Sequence, residues 1–217
     1  MRNITTEDYI KAIYKLEREG EKVTTSGLAG QLQLADASIT DMIKKLSDKG
    51  LVHYKRYQGV GLTARGKRMA LKIVRRHRLW EMYLVKFLGF SWDRVHDEAE
   101  RLEHVTSDDL ESKLDHALGF PTNDPHGDPI PGSDGELDYM EYTSLAEYDE
   151  GDVVRVLRVS DDNSGILQHA TKIGVGLSKR LTVKQKMSFD GSMVVRLGNK
   201  EHFISKEVAG SIFVERA

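Results

Sequence analysis

The run His96-Asp97-Glu98-Ala99-Glu100-Arg101-Leu102-Glu103-His104 carries the residues most able to do chemistry. On a helix of 3.6 residues per turn, His96, Glu100, Glu103 and His104 fall within a stripe about 100° wide, so four potential metal ligands point one way. Nineteen residues before that run's first His, His77 and Glu81 sit four apart and share a face. Facing helices with inward His and Glu are how bundles build carboxylate–histidine metal sites. Taken singly, either helix could use these charges for solvated i,i+4 ion pairs with Arg78 or Arg101. The two together favour metal. Cysteine is absent, which excludes thiolate zinc sites, iron–sulfur clusters, disulfides and cysteine nucleophiles. Oxygen and imidazole donors favour Mn(II) or Fe(II), although Zn(II), Co(II) and Ni(II) would also bind.

Those residues need a scaffold, and the sequence supplies a basic one ahead of them. Residues 1–78 hold 17 Lys and Arg against 8 Asp and Glu, whereas the whole chain of 217 residues has a net charge of -2. A basic first part points to a polyanion and an acidic remainder attracts cations. Thr5 or Thr6 can cap a first helix with Tyr9, Ile10, Ile13, Tyr14 and Leu16 inward. A second fits Thr25 to Gln33, and a third carries Ile39, Met42, Ile43 and Leu46 on one face and stops at Gly50. Two short helices joined by the tight turn at Leu34–Asp36 form a helix-turn-helix. Leu51 to Thr63 reads as two strands around a basic turn, a wing.

In such a unit the second helix of the pair enters the major groove by its N-terminal residues. Here those are Ala37, Ser38, Thr40 and Asp41, with Lys44 where the helix would pass the backbone, and Tyr54, Lys55 and Arg56 on the wing for phosphate and sugar contacts. Double-stranded DNA is the expected partner.

Thr63 can cap a long helix to about Leu88, whose apolar end must be buried inside the chain or against a second copy. Helices are expected from about Trp92 to His104 and from about Ser107 to Leu118. Pro121 to Pro131 breaks the helical pattern and Gly132 to Glu136 reads as a flexible linker. From Asp152 the pattern changes to short alternating strands, a small β-barrel of about 65 residues. The expected fold is mainly α with a C-terminal β domain: residues 1–72 a winged helix-turn-helix, 73–132 a helical metal-binding and dimerisation domain, 133–150 a linker, and 151–217 the β domain. No stretch approaches the roughly 20 apolar residues of a bilayer span, and the first residues lack a signal-peptide core, so no membrane association and a cytoplasmic location are expected.

These motifs resemble the diphtheria toxin repressor family of metal-dependent regulators, which includes the manganese transport regulators. The resemblance rests on Thr5-Thr6-Glu7-Asp8-Tyr9 with Ile13-Tyr14, Gly50-Leu51-Val52, Leu62-Thr63 with Gly66, Arg76-His77-Arg78-Leu79 with Glu81, the run ending Glu103-His104, and Gly127-Asp128-Pro129-Ile130-Pro131. The β domain is similar to the SH3-like, FeoA-like domain of longer members. The resemblance implies a homodimeric repressor on palindromic operators upstream of metal-uptake genes, with the metal as corepressor. It implies a primary metal site of Asp8, Glu100, Glu103 and His104. It implies an ancillary site of His77, Glu81 and His96 with Asp161 from the third domain, or Asp162 in its place. Iron-sensing members have Met and Cys where this chain has Asp8 and Glu100, so the resemblance favours Mn(II) over Fe(II). Short manganese regulators carry a further Glu where this chain has Lys11, which implies separate primary and ancillary sites in place of their two-metal arrangement. Two other readings of the same residues are a helical-bundle metalloenzyme, which would lack an obvious nucleophile, and a winged-helix regulator with no metal switch.

Overall fold

The computed structural model describes residues 6–18, 20, 22–55, 59–137 and 141–217. Helix α1 (Thr6–Arg18) buries Tyr9, Ile10, Ile13 and Tyr14 at helical spacing. Helix α2 (Thr25–Leu32) starts where Thr24 Oγ1 accepts from Gly27 N–H at 3.0 Å, and α3 (Asp36–Asp48) turns Ile39, Ile43 and Leu46 inward. Strands β1 (Val52–Lys55) and β2 (Gly59–Leu62) pair antiparallel, Val52 opposite Leu62 and Lys55 opposite Gly59. Together with Ala70, Leu71 and Val74 they close one core. The hairpin and α3 stand as a wing and its helix should.

Helix α4 (Ala64–Leu88) joins two cores. Thr63 Oγ1 accepts from Gly66 N–H at its start, and Gly89 in the left-handed conformation stops it. At 25 residues it is about 37 Å long. Its second half packs with α5 (His96–Leu102), a 3-10 turn (Glu103–Val105) and α6 (Asp108–Leu118). Leu79, Leu114, Leu118 and Ile130 form one small cluster there and Leu84, Val95 and Ala99 another. Arg75 holds Glu111 at 3.1 Å, Asp115 at 2.6 Å and the Pro131 carbonyl at 2.7 Å, while Arg76 holds Glu111 and Asp108. These ion pairs, buried at Glu111 and open to solvent at Asp108, fix α6 against α4.

The helix expected from Trp92 begins only at His96. Residues 92–94 form a turn instead, because Trp92 leaves the helical domain to pack against the β-domain core and donates Nε1–H to Thr171 Oγ1 at 2.6 Å. At its other end the helix tightens to three residues per turn, which brings Glu103 over Glu100.

The third domain is an antiparallel sheet in the order β3 (Thr143–Ser144), β8 (Ile212–Arg216), β4 (Val153–Val159), β5 (Arg180–Lys186), β6 (Met193–Leu197), β7 (Lys200–Ile204). Two helices not expected from the sequence, α7 (Ser164–Ile173) and α8 (Lys206–Gly210), belong to this domain. The expected linker is also corrected. β3 pairs with β8 and Leu145 is wholly buried in this core, so the domain begins inside the 133–150 stretch. Residues 132–136 form a hydrogen-bonded turn, Gly132 N–H to Glu136 carbonyl at 2.8 Å, and Leu137 packs on the N-terminal core.

The loop 121–131 is the seat of the third domain. Val159 N–H donates to the His126 carbonyl at 2.9 Å and Arg158 holds Asp128 at 2.7 Å. Gly127 has φ +95°, and a Cβ there would lie 2.2 Å from the Leu157 carbonyl oxygen. Only glycine allows that approach. Gly127→Ala is expected to destabilise the protein by on the order of 1–3 kcal/mol, measured by thermal or urea denaturation. Wild-type stability in the variant would remove this contact as the seat.

Candidate metal centre

A cleft of about 970 Å³ opens where α1, α4, α5, the 121–131 loop and the β4–α7 segment meet. Asp8, in the first turn of α1, is buried and places Oδ1 3.3 Å from His104 Nε2; Glu103 Oε1 lies 3.4 Å from the same nitrogen. His104 Nδ1 is 2.7 Å from Glu7 Oε2. With Nδ1–H donated to Glu7, His104 Nε2 presents a lone pair to carboxylates, and that buried atom has no hydrogen-bond partner. A cation is what such a position accepts. One ligand atom each from Asp8, Glu100 and His104 lies within 4.8 Å of the others. Glu103 is 0 % exposed and stands beside them.

A second set lies across His77. Its Nε2 is 3.1 Å from Glu81 Oε1 and 3.1 Å from His96 Nδ1. Glu81, His96 and Asp161 bring ligand atoms within 4.8 Å of one another, as do His77, His96 and Glu100. Asp162, the other residue considered for the third domain, pairs with Lys15 at 2.5 Å instead.

Sequence reasoning missed two members of this neighbourhood, Asp124 and His126. Both are buried, and with Glu81 they form another group with ligand atoms within 4.8 Å. Glu81 Oε2 and His126 Nδ1 face each other at 3.8 Å and neither has a hydrogen-bond partner. His126 Nε2–H donates to the Trp92 carbonyl at 2.7 Å, which directs Nδ1 inward. The signal was present as Asp124-Pro125-His126, a pair of ligand types in a segment read only as a helix break.

Between the two sets stands Lys11. Its Nζ donates to Glu100 Oε2 at 2.7 Å and to Glu103 at 2.6 and 2.9 Å, and lies 3.1 Å from His77 Nδ1.

The electrostatics of the metal-free cluster are those of stored protons. Burial and the Lys11 ammonium push the His77 imidazolium down, but Glu81 and Glu103 outweigh them and raise its pKa to about 9. Burial, then Glu81 and Asp128, push the Asp124 carboxyl up to about 7. For Glu81, burial pushes upward, but His77, His96 and His126 outweigh it and hold the acid well below its usual range.

On the basic side, Ala37, Ser38, Asp41 and Lys44 are exposed along the start of α3. Thr40 is half-buried, and its hydroxyl donates to the Asp36 carbonyl at 3.0 Å, inside its own helix. Lys55 is exposed; Tyr54 is half-buried against the N-terminal core; Arg56 lies outside the described residues.

Comparison with known proteins agrees with this architecture along the whole chain. Residues 3–60 match the family model of the iron dependent repressor N-terminal DNA binding domain, 63–132 that of the iron dependent repressor metal binding and dimerisation domain, and 143–216 the FeoA domain. The iron-dependent repressor IdeR of Mycobacterium leprae (strain TN) is 30% identical over 226 residues, covering 98% of this chain and 97% of that protein. The chain belongs to the diphtheria toxin repressor family. Its members are DNA-binding, metal-dependent transcriptional repressors, not enzymes. The diphtheria toxin repressor of Corynebacterium efficiens is 37% identical over 128 residues, 59% of this chain and 56% of that protein. Among solved structures, a manganese-dependent transcriptional repressor in complex with manganese superimposes with TM-score 0.90 at 38% identity, covering 98% of this chain and all of that one. The manganese regulator SloR does so with TM-score 0.80 at 30% identity over the full length of both, and ScaR with bound Zn2+ with TM-score 0.82 at 31% identity over 99% of this chain and all of that one. Among the described residues no helix is long and apolar enough to cross a membrane.

A divalent ion entering this cluster must expel protons. His77, with its pKa raised above the ordinary 6.5, supports the metal-free fold fully below pH 6.5 and ceases to as pH rises through about 9. Asp124, raised from 3.8, withdraws its support as pH rises through about 7. The melting temperature of metal-free protein is therefore expected to fall between pH 6.5 and 9, and that of Mn(II)-loaded protein to hold. Parallel melting curves for both forms would contradict the stored-proton account.

Proposed function

We propose that this protein is a manganese-responsive repressor in which Mn(II), held by Asp8, Glu100, Glu103 and His104, acts as corepressor for metal-uptake genes. The observation that carries the reading is the buried, unpartnered His104 Nε2 placed 3.3 Å from Asp8 of the DNA-binding domain. An ion there supplies positive charge to carboxylates of two domains at once, and so ties α1 to the end of α5. Fixing α1 fixes α3, and in a homodimer two such helices must meet half-sites in successive major grooves. The exposed Phe87, Leu88, Phe90, Leu110 and Phe120 of the helical domain provide the apolar face for the second copy.

The donor set supports the choice of metal. Carboxylates and imidazoles without sulfur suit Mn(II), with Fe(II) next, whereas Zn(II), Co(II) and Ni(II) are ions such donors take up without selecting. His77, Glu81, His96 and Asp161 would hold an ancillary ion that joins the β domain to the helical one, with Asp124 and His126 beside Glu81 as further donors. Ala37, Ser38, Thr40, Asp41, Lys44, Tyr54, Lys55 and Arg56 form the DNA-facing side, with Thr40 and Tyr54 serving the fold as well.

The test uses an operator selected from random duplex DNA with full-length protein and Mn(II), then titrated with Mn(II), Fe(II) and Zn(II). Wild type is expected to bind only with metal, and Asp8→Met with Glu100→Cys to lose its preference for Mn(II). Metal-independent binding would sink the switch; an unchanged preference would sink the case for manganese. Lys44→Ala should weaken binding evenly across sequences and lower the salt slope by about 1. An unaltered slope would take Lys44 off the phosphate backbone.

A further inference from the structure

Past residue 78 the charge of the chain changes sign a second time. Residues 79–150 hold 4 Lys and Arg against 19 Asp and Glu, whereas residues 172–206 hold 8 against 2. The acidity belongs to the helical domain and the stretch that follows it, and the β domain turns basic again. Neither the winged-helix contacts nor the metal centre uses that second block of positive charge.

The register of the sheet gathers it on one face. Val154, Leu181, Val183, Met193 and Val195 point into the β-domain core, so their neighbours along each strand point out. On that outer face Arg155 stands opposite Arg180, and Thr182 stands opposite both Val153 and Arg196. A bulge in β5 between Val183 and Gln185 adds the exposed Lys184. Arg155 is paired with Glu215, but among the described residues Arg180, Lys184 and Arg196 make no ion pair. Glu201 lies opposite Arg196, so the face carries two acids against four cations. Phe203, opposite Val194, adds an aromatic ring that is 62% exposed.

This face begins beside the helix-turn-helix. Ile212 and Val214 point inward, so Phe213 between them points out, with the Arg158 guanidinium 4.6 Å from its ring centroid. Phe213 and Arg158 line the cleft described above, and so do Gln31 to Leu34, the end of α2 and the turn into α3. Lys15 and Asp162 hold the two domains together there at 2.5 Å. The first residues of α3 follow that turn directly.

We propose that the outer face of the β-domain sheet, through Arg180, Lys184 and Arg196, is a second contact with duplex DNA, gripping phosphates beside the groove that α3 enters. The inference rests on the winged-helix reading above, which places the duplex, and is independent of the choice of metal. Cations without an acidic partner release counterions when they meet phosphate, and each such contact adds to the salt dependence of binding. Contacts of this kind hold the duplex without reading its sequence. The β domain thereby takes part in holding the operator as well as in closing the cleft.

The experiment measures the affinity of full-length, Mn(II)-loaded protein for the operator duplex and for a scrambled duplex of equal length over a range of salt. It compares wild type, a triple variant combining Arg180→Gln, Lys184→Gln and Arg196→Gln, the single variant Lys184→Gln, and a double variant combining Lys172→Gln and Lys206→Gln, whose cations sit on α7 and α8. The triple variant is expected to bind both duplexes about tenfold more weakly, with the salt slope lowered by about 3 and the preference for operator over scrambled duplex unchanged. Lys184→Gln is expected to lower the slope by about 1, and it answers the question if the triple variant does not fold. An unchanged slope in these variants overturns the proposal. So does an equal loss per charge in the double variant, which would make the effect one of net charge. Binding to vesicles of acidic phospholipid, lost in the triple variant while its DNA affinity stays that of wild type, gives the face to a membrane and overturns the proposal too. Wild type that binds neither duplex removes the winged-helix reading, and the proposal with it.

Discussion

Negative charge taken out of water at the junction of three domains is the constraint on which the rest of this structure depends. Asp8, Glu81, Glu103 and Asp124 are all buried, and each comes from a different segment of the chain. An ionised carboxylate in such a place is costly unless it is paired and hydrogen-bonded. The pairing is supplied across element boundaries: Lys11 of α1 to Glu100 and Glu103, His77 of α4 to Glu103, His104 Nδ1–H to Glu7, and His126 toward Glu81. Glu81 and Asp124 find partners within the helical domain, His77 and His126 for the first and Arg78 for the second, whereas Glu103 is shared between His77 and Lys11 and so joins the helical domain to the DNA-binding one.

A second ionic network in the same helix shows what a settled arrangement looks like. Arg75 and Arg76 satisfy Glu111, Asp108, Asp115 and the Pro131 carbonyl with cations that stay charged at every accessible pH. Near neutral pH that half of the contact keeps its charges on both sides. Two turns at most separate it from His77 and Glu81, whose partners are imidazoles, a shared ammonium and protons. Helix α4 thus carries a permanent joint and a conditional one side by side, and its first half is packed into the DNA-binding core. Whatever changes the conditional joint acts on that core through a helix that its arginines hold to α6.

How much of this was legible follows from where the information lies. Helical periodicity exposed His96, Glu100, Glu103 and His104 as one stripe, and the structure keeps the Thr63 cap and the expected helix start near Ser107, where the serine proves to be the cap. The start of α5 was not legible, because Trp92 is apolar and suits a helix locally; only its partner Thr171, in another domain, takes it away. Helix α7 was legible in retrospect: Asn163 caps it, Gly174 ends it, and Ile166, Leu167 and Ala170 share its buried face. The strand-rich sequence around it obscured it. Asp124 and His126 were hidden for a different reason. A loop has no period, so nothing in spacing says that its polar residues face inward until the β domain is seen holding the His126 carbonyl from the other side.

That last contact gives the β domain a definite mechanical part. The loop from Pro121 to Pro131 is held between two domains: Arg78 reaches Asp124, Asp128 and the Pro129 carbonyl from α4, while Arg158 and the Val159 amide grip Asp128 and the His126 carbonyl from β4. Gly127 lets the backbones come together, and Trp92 stacks on the His126 ring with centroids 5.8 Å apart. Asp161 enters the cleft from the strand end immediately after this grip, within reach of Glu81 and His96. The segment that steadies the loop is thus the one that delivers the acid. Undocking the domain would remove Asp161 and loosen His126 in a single step, so the charge on the helical side of the cleft and the seating of the β domain depend on each other.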